Sequence, residues 1–190
     1  MVADGAGSTP VNNTKNSFVT PLVKLLQQGQ DELYNNLIPI WHRATKDSDQ
    51  ARHNRNNMQY VYSDINYFAR IAKENYEEQK AAKERFIQET YNNLVARGMD
   101  PYEATIKAEQ AGVRFDSEIN RLSNSSTSYN TTLSEAKQNY VTATEDANSA
   151  QRAVTSAGND VYSQAQSNAG YAFDIHKLTV MTPPSFDAMG

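Results

Sequence analysis

The fold of this chain is decided by residues 129–161, YNTTLSEAKQNYVTATEDANSAQRAVTSAGNDV. Small and apolar side chains recur here at alternating steps of four and three residues, which is a heptad repeat. Such a repeat keeps one stripe of a helix facing a partner helix, so we expect this segment to pack lengthwise against another helix. The predicted helix–helix interface, hereafter the seam, consists of Tyr129, Leu133, Ala136, Tyr140, Ala143, Ala147, Ala150, Val154, Ala157 and Val161.

The seam continues towards the N-terminus in the same phase. Its earlier members are Leu122, Ile119, Phe115 and Ala108, with Ser126 and Gly112 as weak positions. The spacing predicts one helix over residues 101–172. A competing interpretation breaks this helix at residues 123–128, SNSSTS, because these residue types favour caps and turns. We favour the continuous helix, since a loop would not preserve the phase on both sides. After Val161 we expect the phase to slip towards Ala165, Ala169 and Ala172.

A first helix is predicted over about residues 20–41. Thr20 would be its N-cap and Pro21 its first helical residue, while Gly29 interrupts it and Pro39 is expected to bend it. Its apolar face is expected to meet a partner and contains Leu22, Leu25, Leu26, Leu33, Leu37, Ile40 and Trp41.

A second helix is predicted over residues 58–96. The polar residues 42–59 before it form either a connection or an all-polar helix. Gly98 is the expected C-cap, and Asp100 with Pro101 is a paired N-cap and first-turn proline. Together these signals predict an all-α fold: an elongated helical hairpin or bundle with a long, heptad-patterned C-terminal helix.

Both ends of the chain are expected to extend from one helical unit over residues 18–178. Residues 1–17 are rich in Gly, Ser, Thr and Asn, which predicts a flexible N-terminal arm. Residues 179–190 carry two prolines and isolated apolar side chains, which predicts an extended C-terminal tail.

The composition indicates a chain that needs partners to complete its core. Of 190 residues, 38% are hydrophobic, and the formal net charge of −4 favours neither nucleic acid nor an anionic membrane as a general partner. Cysteine is absent, so disulfides and thiolate metal sites are excluded. We expect no secretion signal and no membrane-spanning helix, hence a protein that is soluble when synthesised.

One edge of the seam is entirely alanine: Ala136, Ala143, Ala150 and Ala157. Alanine lets helices approach closely but buries little area, so length or multiple copies must compensate. The seam is therefore expected to pack either in a symmetric helical assembly or in an intramolecular bundle with residues 58–96. The two arrangements are compatible with each other.

Residues with catalytic or metal-binding potential form no recognised pattern. None of His42, His53 and His176 has a glutamate three positions before it, so a di-metal carboxylate site is not expected. Glu74, Glu77 and Glu78 alternate with lysines and arginines, which indicates a solvated ion-pair face. We therefore expect no catalytic residues, no metal and no cofactor.

The basic residues Arg43, Arg52 and Arg55, with Lys46, are the candidate contacts for nucleic acid. Asp47 and Asp49 lie among them and weaken this interpretation.

Residues 94–125, LVARGMDPYEATIKAEQAGVRFDSEINRLSNS, together with the alanine-rich seam resemble the small helical internal virion, ejection or structural proteins of short-tailed bacteriophages. This resemblance implies homo-oligomeric assembly within the particle, contact with other proteins of that particle, and a role in genome delivery. Some members carry an apolar membrane-active segment, and here residues 18–41 would have to act as an amphipathic helix instead.

The sequence therefore leads to a non-enzymatic virion component, made in the host cytoplasm, as the first hypothesis. The alternatives are a helical component of a bacterial secretion or pore-forming system, in which the Leu22 to Trp41 face meets a membrane, and a nucleic-acid-binding bundle that uses residues 43–62.

Overall fold

The computed structural model describes residues 13–180, with side chains from residue 18 onwards. The predicted all-α fold is confirmed: two long helical segments form a hairpin, and the described residues contain no strand. The predicted arm over 1–17 and tail over 179–190 lie largely outside the described residues, although residues 13–17 and 179–180 are helical.

The first helical segment begins with α1 (Asn13–Asp31), widens into a π-helical turn (Glu32–Leu37) and continues as α2 (Ile38–Ala96). The second begins with α3 (Pro101–Gly112), tightens into a 3-10 turn (Val113–Phe115) and continues as α4 (Asp116–Val180). By its contacts the chain divides into two compact units. Unit 1 comprises Met1–Gln50 with Asn148–Gly190, and unit 2 comprises Ala51–Ala147.

The turn between the two segments has the predicted caps. Gly98 adopts a φ of 86°, its N–H donates to the carbonyl of Val95 at 2.9 Å, and the N–H of Met99 donates to that of Leu94 at 3.1 Å. These two bonds form a Schellman motif, which satisfies the last carbonyls of α2. The Asp100 carboxylate then accepts hydrogen bonds from the backbone N–H groups of Tyr102 and Glu103, and Pro101 opens α3. A left-handed glycine and an aspartate cap thus reverse the chain within a few residues.

The predicted start of the first helix at Thr20 is wrong. Helix α1 begins at Asn13, and Pro21 lies inside it. A proline within a helix removes one hydrogen bond, here the one to the carbonyl of Ser17, but helical structure is present on both sides of it. Residues 42–59, for which the sequence left two interpretations open, are helical and belong to α2.

A π-helical turn, Glu32–Leu37, lies just before Pro39, the residue at which the sequence predicted a bend. The N–H of Ile38 donates to the carbonyl of Leu33, five residues back. A proline ring collides with the carbonyl four residues before it, so a wider turn relieves Pro39. The turn also accommodates one residue more than a regular heptad. The packed stripe passes from Leu33 to Leu37 to Trp41 in two steps of four instead of steps of four and three. The residues on both sides of the turn therefore stay in contact with their partner helix.

The SNSSTS segment, residues 123–128, is continuous helix, as expected. The break in the second segment lies instead at the 3-10 turn after Gly112. A Cβ on Gly112 would stand 2.7 Å from Cδ1 of Ile87, so any larger residue at this position would displace the Ile87 side chain. In the heptad pattern Gly112 is only a weak seam position.

Unit 2 has a core made of small side chains. Its buried residues are Ala69, Ala72, Ala104, Ala108, Gly112, Ser126, Ala136, Ala143 and Ala147. Larger side chains cover this core from the edges: Tyr62 stacks on Tyr140 with ring centroids 6.0 Å apart, and Phe86 packs against Phe115 at 5.5 Å.

Unit 1 is packed around small and polar residues. Its buried residues are Gly29, Ser48, Ala157 and Asn168. The expected phase slip after Val161 is wrong, since Ala165, Ala169 and Ala172 are exposed. The heptad phase instead continues through Gln164, Asn168, Tyr171 and Ile175. Gln164 donates to the Asn168 side chain at 3.1 Å, so polar residues occupy two of these packed heptad positions.

Candidate interaction surfaces

The seam packs within the chain. Four of its members, Ala136, Ala143, Ala147 and Ala157, are buried, and the large side chains among the others are half-buried or, as for Tyr129, partly exposed. In unit 2 the partner is the α2 stripe, through Tyr62 on Tyr140. In unit 1 the indole nitrogen of Trp41 would stand 3.5 Å from a Cβ placed on Gly158. This stripe is therefore already occupied by the chain's own helix.

The apolar face predicted on the first helix lies on the packed stripe of unit 1. Leu22, Leu26, Leu33 and Leu37 are half-buried there, and Trp41 lies at the rim with 37% of its surface exposed. The Trp41 ring contacts His42 with centroids 5.4 Å apart. These leucines are not an open surface, whereas Leu25 and Ile40 point outwards.

The candidate nucleic-acid contacts are divided between the two units. Arg43 lies in unit 1, whereas Arg52 and Arg55 lie in unit 2. Arg55 is half-buried, and its guanidinium donates to Oδ1 of Asn56 at 3.0 Å.

Unit 2 presents an aromatic cluster that the heptad pattern does not predict. We call it the aromatic face, and it consists of Tyr60, Val61, Tyr67, Phe68 and Tyr129. Tyr67 contacts Phe68 edge-on with centroids 5.5 Å apart, and Phe68 stacks on Tyr129 at 6.3 Å. The sequence of α2 contains a sign of this face: two pairs of large side chains at seven-residue spacing, Tyr60 with Tyr67 and Val61 with Phe68. Both pairs lie just beside the packed stripe of α2.

Three ion pairs lie at the surface of unit 2. Arg121 donates to both carboxylate oxygens of Glu118, at 2.8 and 2.6 Å, and Lys83 binds Asp116. The hydrogen bond from Arg121 lowers the pKa of the Glu118 carboxyl below its usual value of 4.5, and it raises the pKa of the Arg121 guanidinium. Arg70 lies 3.7 Å from Glu74, as expected for a solvated ion-pair face.

Two surface grooves flank Ile87 in unit 2. One, of about 240 Å³, is lined by Ile87, Gln88, Tyr91, Thr105, Ala108 and Glu109. The other, of about 280 Å³, is lined by Lys80, Lys83, Glu84, Ile87, Asp116 and Ile119. In the second groove Lys83 pairs with Asp116.

Within residues 13–180, no group of three or more acidic or histidine side chains is arranged to hold a metal ion. Over the same part of the chain, no helix is both long and apolar enough to cross a bilayer. Comparison with protein-family models, curated proteins and solved structures found no match to this chain.

Proposed function

We propose that this protein is a non-enzymatic structural component of a multi-copy assembly. The observation that carries this proposal is the thinness of the core: every buried apolar residue in the described part of the chain is an alanine. Large side chains remain substantially exposed on all the helices, among them Phe18, Tyr34, Tyr60, Tyr102 and Phe173. Because burial of apolar surface is the main favourable term in folding, such a chain gains much more from neighbours than a globule with a filled core.

The assembly would use outward-facing side chains. The seam is paired within each unit, so it contributes to folding, while contacts between copies or with other proteins would form on the exposed faces. An enzymatic role has less support, because the charged side chains described above form surface ion pairs and the grooves hold no catalytic arrangement.

The assembly that we propose is the virion of a tailed bacteriophage, in which the protein acts as an internal, ejection or portal–tail component and aids genome delivery. Support comes from the resemblance of residues 94–125 to such proteins. Helix α4 adds support, since its outer face is dominated by uncharged Ser, Thr, Asn and Gln residues that can contact many neighbours without a strong charge preference.

The decisive experiment is quantitative mass spectrometry of the particle or complex from which the native protein is recovered. We expect several copies per particle and a constant ratio to the other structural proteins. Recovery of the native protein only as a free chain, with no particle or complex associated with it, would contradict the proposal.

A further inference from the structure

The two units of this protein bury different kinds of residue. Of the eight buried alanines, seven lie in unit 2 and one, Ala157, lies in unit 1. The other buried residues in the described part of unit 1 are Gly29, Ser48 and Asn168. Both units surround these positions with half-buried larger side chains, so the difference lies in the buried layer itself. Because burial of apolar surface is the main favourable term in folding, closure of this layer stabilises unit 1 less than unit 2.

The polar groups buried in unit 1 are only partly satisfied. The Ser48 hydroxyl donates to Oε1 of Gln151 at 3.3 Å, which is long for an O–H···O hydrogen bond. Gln164 donates to Oδ1 of Asn168 at 3.1 Å, whereas Nδ2 of Asn168 is buried without a partner. When the two helices of unit 1 separate, water can accept a hydrogen bond from this Nδ2. Its burial therefore favours the separated state.

Aromatic contacts between helices stabilise unit 2 in addition to its alanines. Three ring pairs join α2 to the second helical segment: Tyr62 with Tyr140, Phe68 with Tyr129, and Phe86 with Phe115. In unit 1 the rings of Trp41 and His42 contact each other within one helix. Opening of unit 2 thus breaks aromatic contacts, whereas opening of unit 1 leaves the Trp41–His42 contact in place.

The connectivity of the chain lets unit 1 open while unit 2 stays closed. Unit 2 is one continuous stretch, Ala51–Ala147, which includes the turn at Gly98, whereas unit 1 consists of two stretches that unit 2 connects. If unit 2 opened first, the closed unit 1 would hold together the ends of the long loop over residues 51–147, at an entropic cost. If unit 1 opens first, no such loop forms.

Helix α1, which has to separate from α4 when unit 1 opens, is interrupted in two places. Pro21 inside it removes one helical hydrogen bond, and the π-helical turn over Glu32–Leu37 follows its last residue. Isolated helices are marginal in water, because most helical stability in proteins comes from packing. Once apart from α4, this segment therefore gains conformational entropy by fraying, which favours the open state further.

We propose that unit 1 opens and closes as one body while unit 2 stays folded, and that the buried amide of Asn168 sets the equilibrium between the closed and open states. The open state exposes to water the leucines of α1 that the closed unit half-buries: Leu22, Leu26, Leu33 and Leu37. The inference concerns a single chain and does not depend on the proposed assembly.

The test is the rate at which a soluble disulfide reagent labels a single buried thiol in the full chain. The chain has no cysteine, so Ala157→Cys places one thiol in unit 1 and Ala72→Cys places one in unit 2. The two variants are matched, because both alanines are inside helices and 7% exposed. Ala157 lies 23 residues before the end of α4, so fraying of that end does not reach it. We expect the thiol at position 157 to be labelled at least about tenfold faster than the thiol at position 72.

Two further substitutions in unit 1 should change this rate in opposite directions. Asn168→Leu removes the unpaired donor, so it should slow labelling at position 157 at least about fivefold. Gly29→Ala forces the Asn168 side chain to move, so it should accelerate labelling at position 157 at least about fivefold. Both should leave the rate at position 72 within about twofold. Gly170→Ala is the matched control for Gly29→Ala, because a Cβ there meets nothing within 4 Å and should not accelerate labelling.

Three outcomes would overturn the inference, provided that circular dichroism shows intact helices in every variant. Equal labelling rates at positions 157 and 72 would mean that the chain opens only as a whole. Faster labelling at position 72 would mean that unit 2 opens first. If Asn168→Leu and Gly29→Ala change both rates by the same factor, they act on global unfolding and not on unit 1.

Discussion

The side-chain amide of Asn168 lies directly against the backbone of Gly29, where any Cβ would overlap Oδ1 of the asparagine. Asn168 is only 8% exposed and accepts a hydrogen bond from Gln164, while its own Nδ2 is buried without a partner. A glycine on one helix thus makes room for a polar layer on the other, at the heptad positions where unit 1 would otherwise be apolar.

Gly29→Ala should lower the stability of the protein. The new methyl group would force Asn168 and Gln164 to move within a packed layer, and overpacking of this kind costs about 1–3 kcal/mol. The comparison is Gly170→Ala, where a Cβ meets nothing within 4 Å and the helix gains up to about 1 kcal/mol. Urea unfolding of both variants checks this, and equal effects would show that the close approach at Gly29 is unimportant.

Asn168→Leu should raise the free energy of unfolding. Leucine has the same branched shape as asparagine. The substitution removes Nδ2, a buried donor without a partner, and a donor of this kind lowers the free energy of unfolding by about 1–3 kcal/mol. Gln164 is half-buried and can turn towards water after losing its acceptor. A fall in the midpoint of thermal unfolding would mean that the Gln164–Asn168 bond contributes more than the unpaired Nδ2 costs.

Gly112→Ala should be destabilising through one neighbour, Ile87. Two carbons of the Ile87 side chain would stand 2.7 Å from the new Cβ. Ile87→Val removes the terminal carbon, so it should recover part of the loss in the Gly112→Ala background. A double-mutant cycle by chemical unfolding should give a coupling of at least about 0.5 kcal/mol, and simple additivity would contradict this contact.

Ala147→Glu should disrupt folding more than any surface change nearby. Ala147 is buried on the seam, and a glutamate there must either bury an unpaired charge or separate the helices, at a cost of several kcal/mol. Glu145→Ala, two residues away on an exposed position, should leave the helical signal in circular dichroism and the unfolding midpoint nearly unchanged. If both variants fold equally well, the seam does not contribute to folding.

The Glu118–Arg121 pair should make a small, pH-dependent contribution to stability. Because the pKa of Glu118 is lowered in the folded protein, its contribution is present above the usual carboxyl value of 4.5 and is lost as the pH falls through the lower, folded value. Arg121→Gln should return the pKa of Glu118 towards 4.5 in an NMR titration. The difference in free energy of unfolding between Arg121→Gln and the unaltered chain should shrink in acid. A difference that grows in acid would contradict a stabilising Glu118–Arg121 pair.

Several structural features followed from the sequence because they depend on residues close together in the chain. Gly98, Asp100 and Pro101 form the turn through hydrogen bonds that span at most five residues. The heptad phase across residues 123–128 correctly predicted helix where residue propensity alone suggested a loop.

Other features were missed because the information lies in a partner segment. The π-helical turn is visible in the sequence only as two steps of four, from Leu33 to Leu37 to Trp41, and it matters only because both sides must face one partner helix. The aromatic face was overlooked for a similar reason, since Phe68 and Tyr129 become neighbours only when α2 and α4 pack.

By itself, the sequence determined that this chain is helical, where it reverses and which stripe of the last helix packs as far as Val161, since periodicity and capping act within a few residues. The tertiary structure decided what each stripe meets. Gly29 and Gly112 looked like interruptions of helical patterns, yet each is the point of closest approach to a side chain distant in sequence, Asn168 or Ile87. The physical reason is close packing: the size of a side chain limits the residues that are next to it in space. The sequence of one helix does not show which residues of another helix these will be.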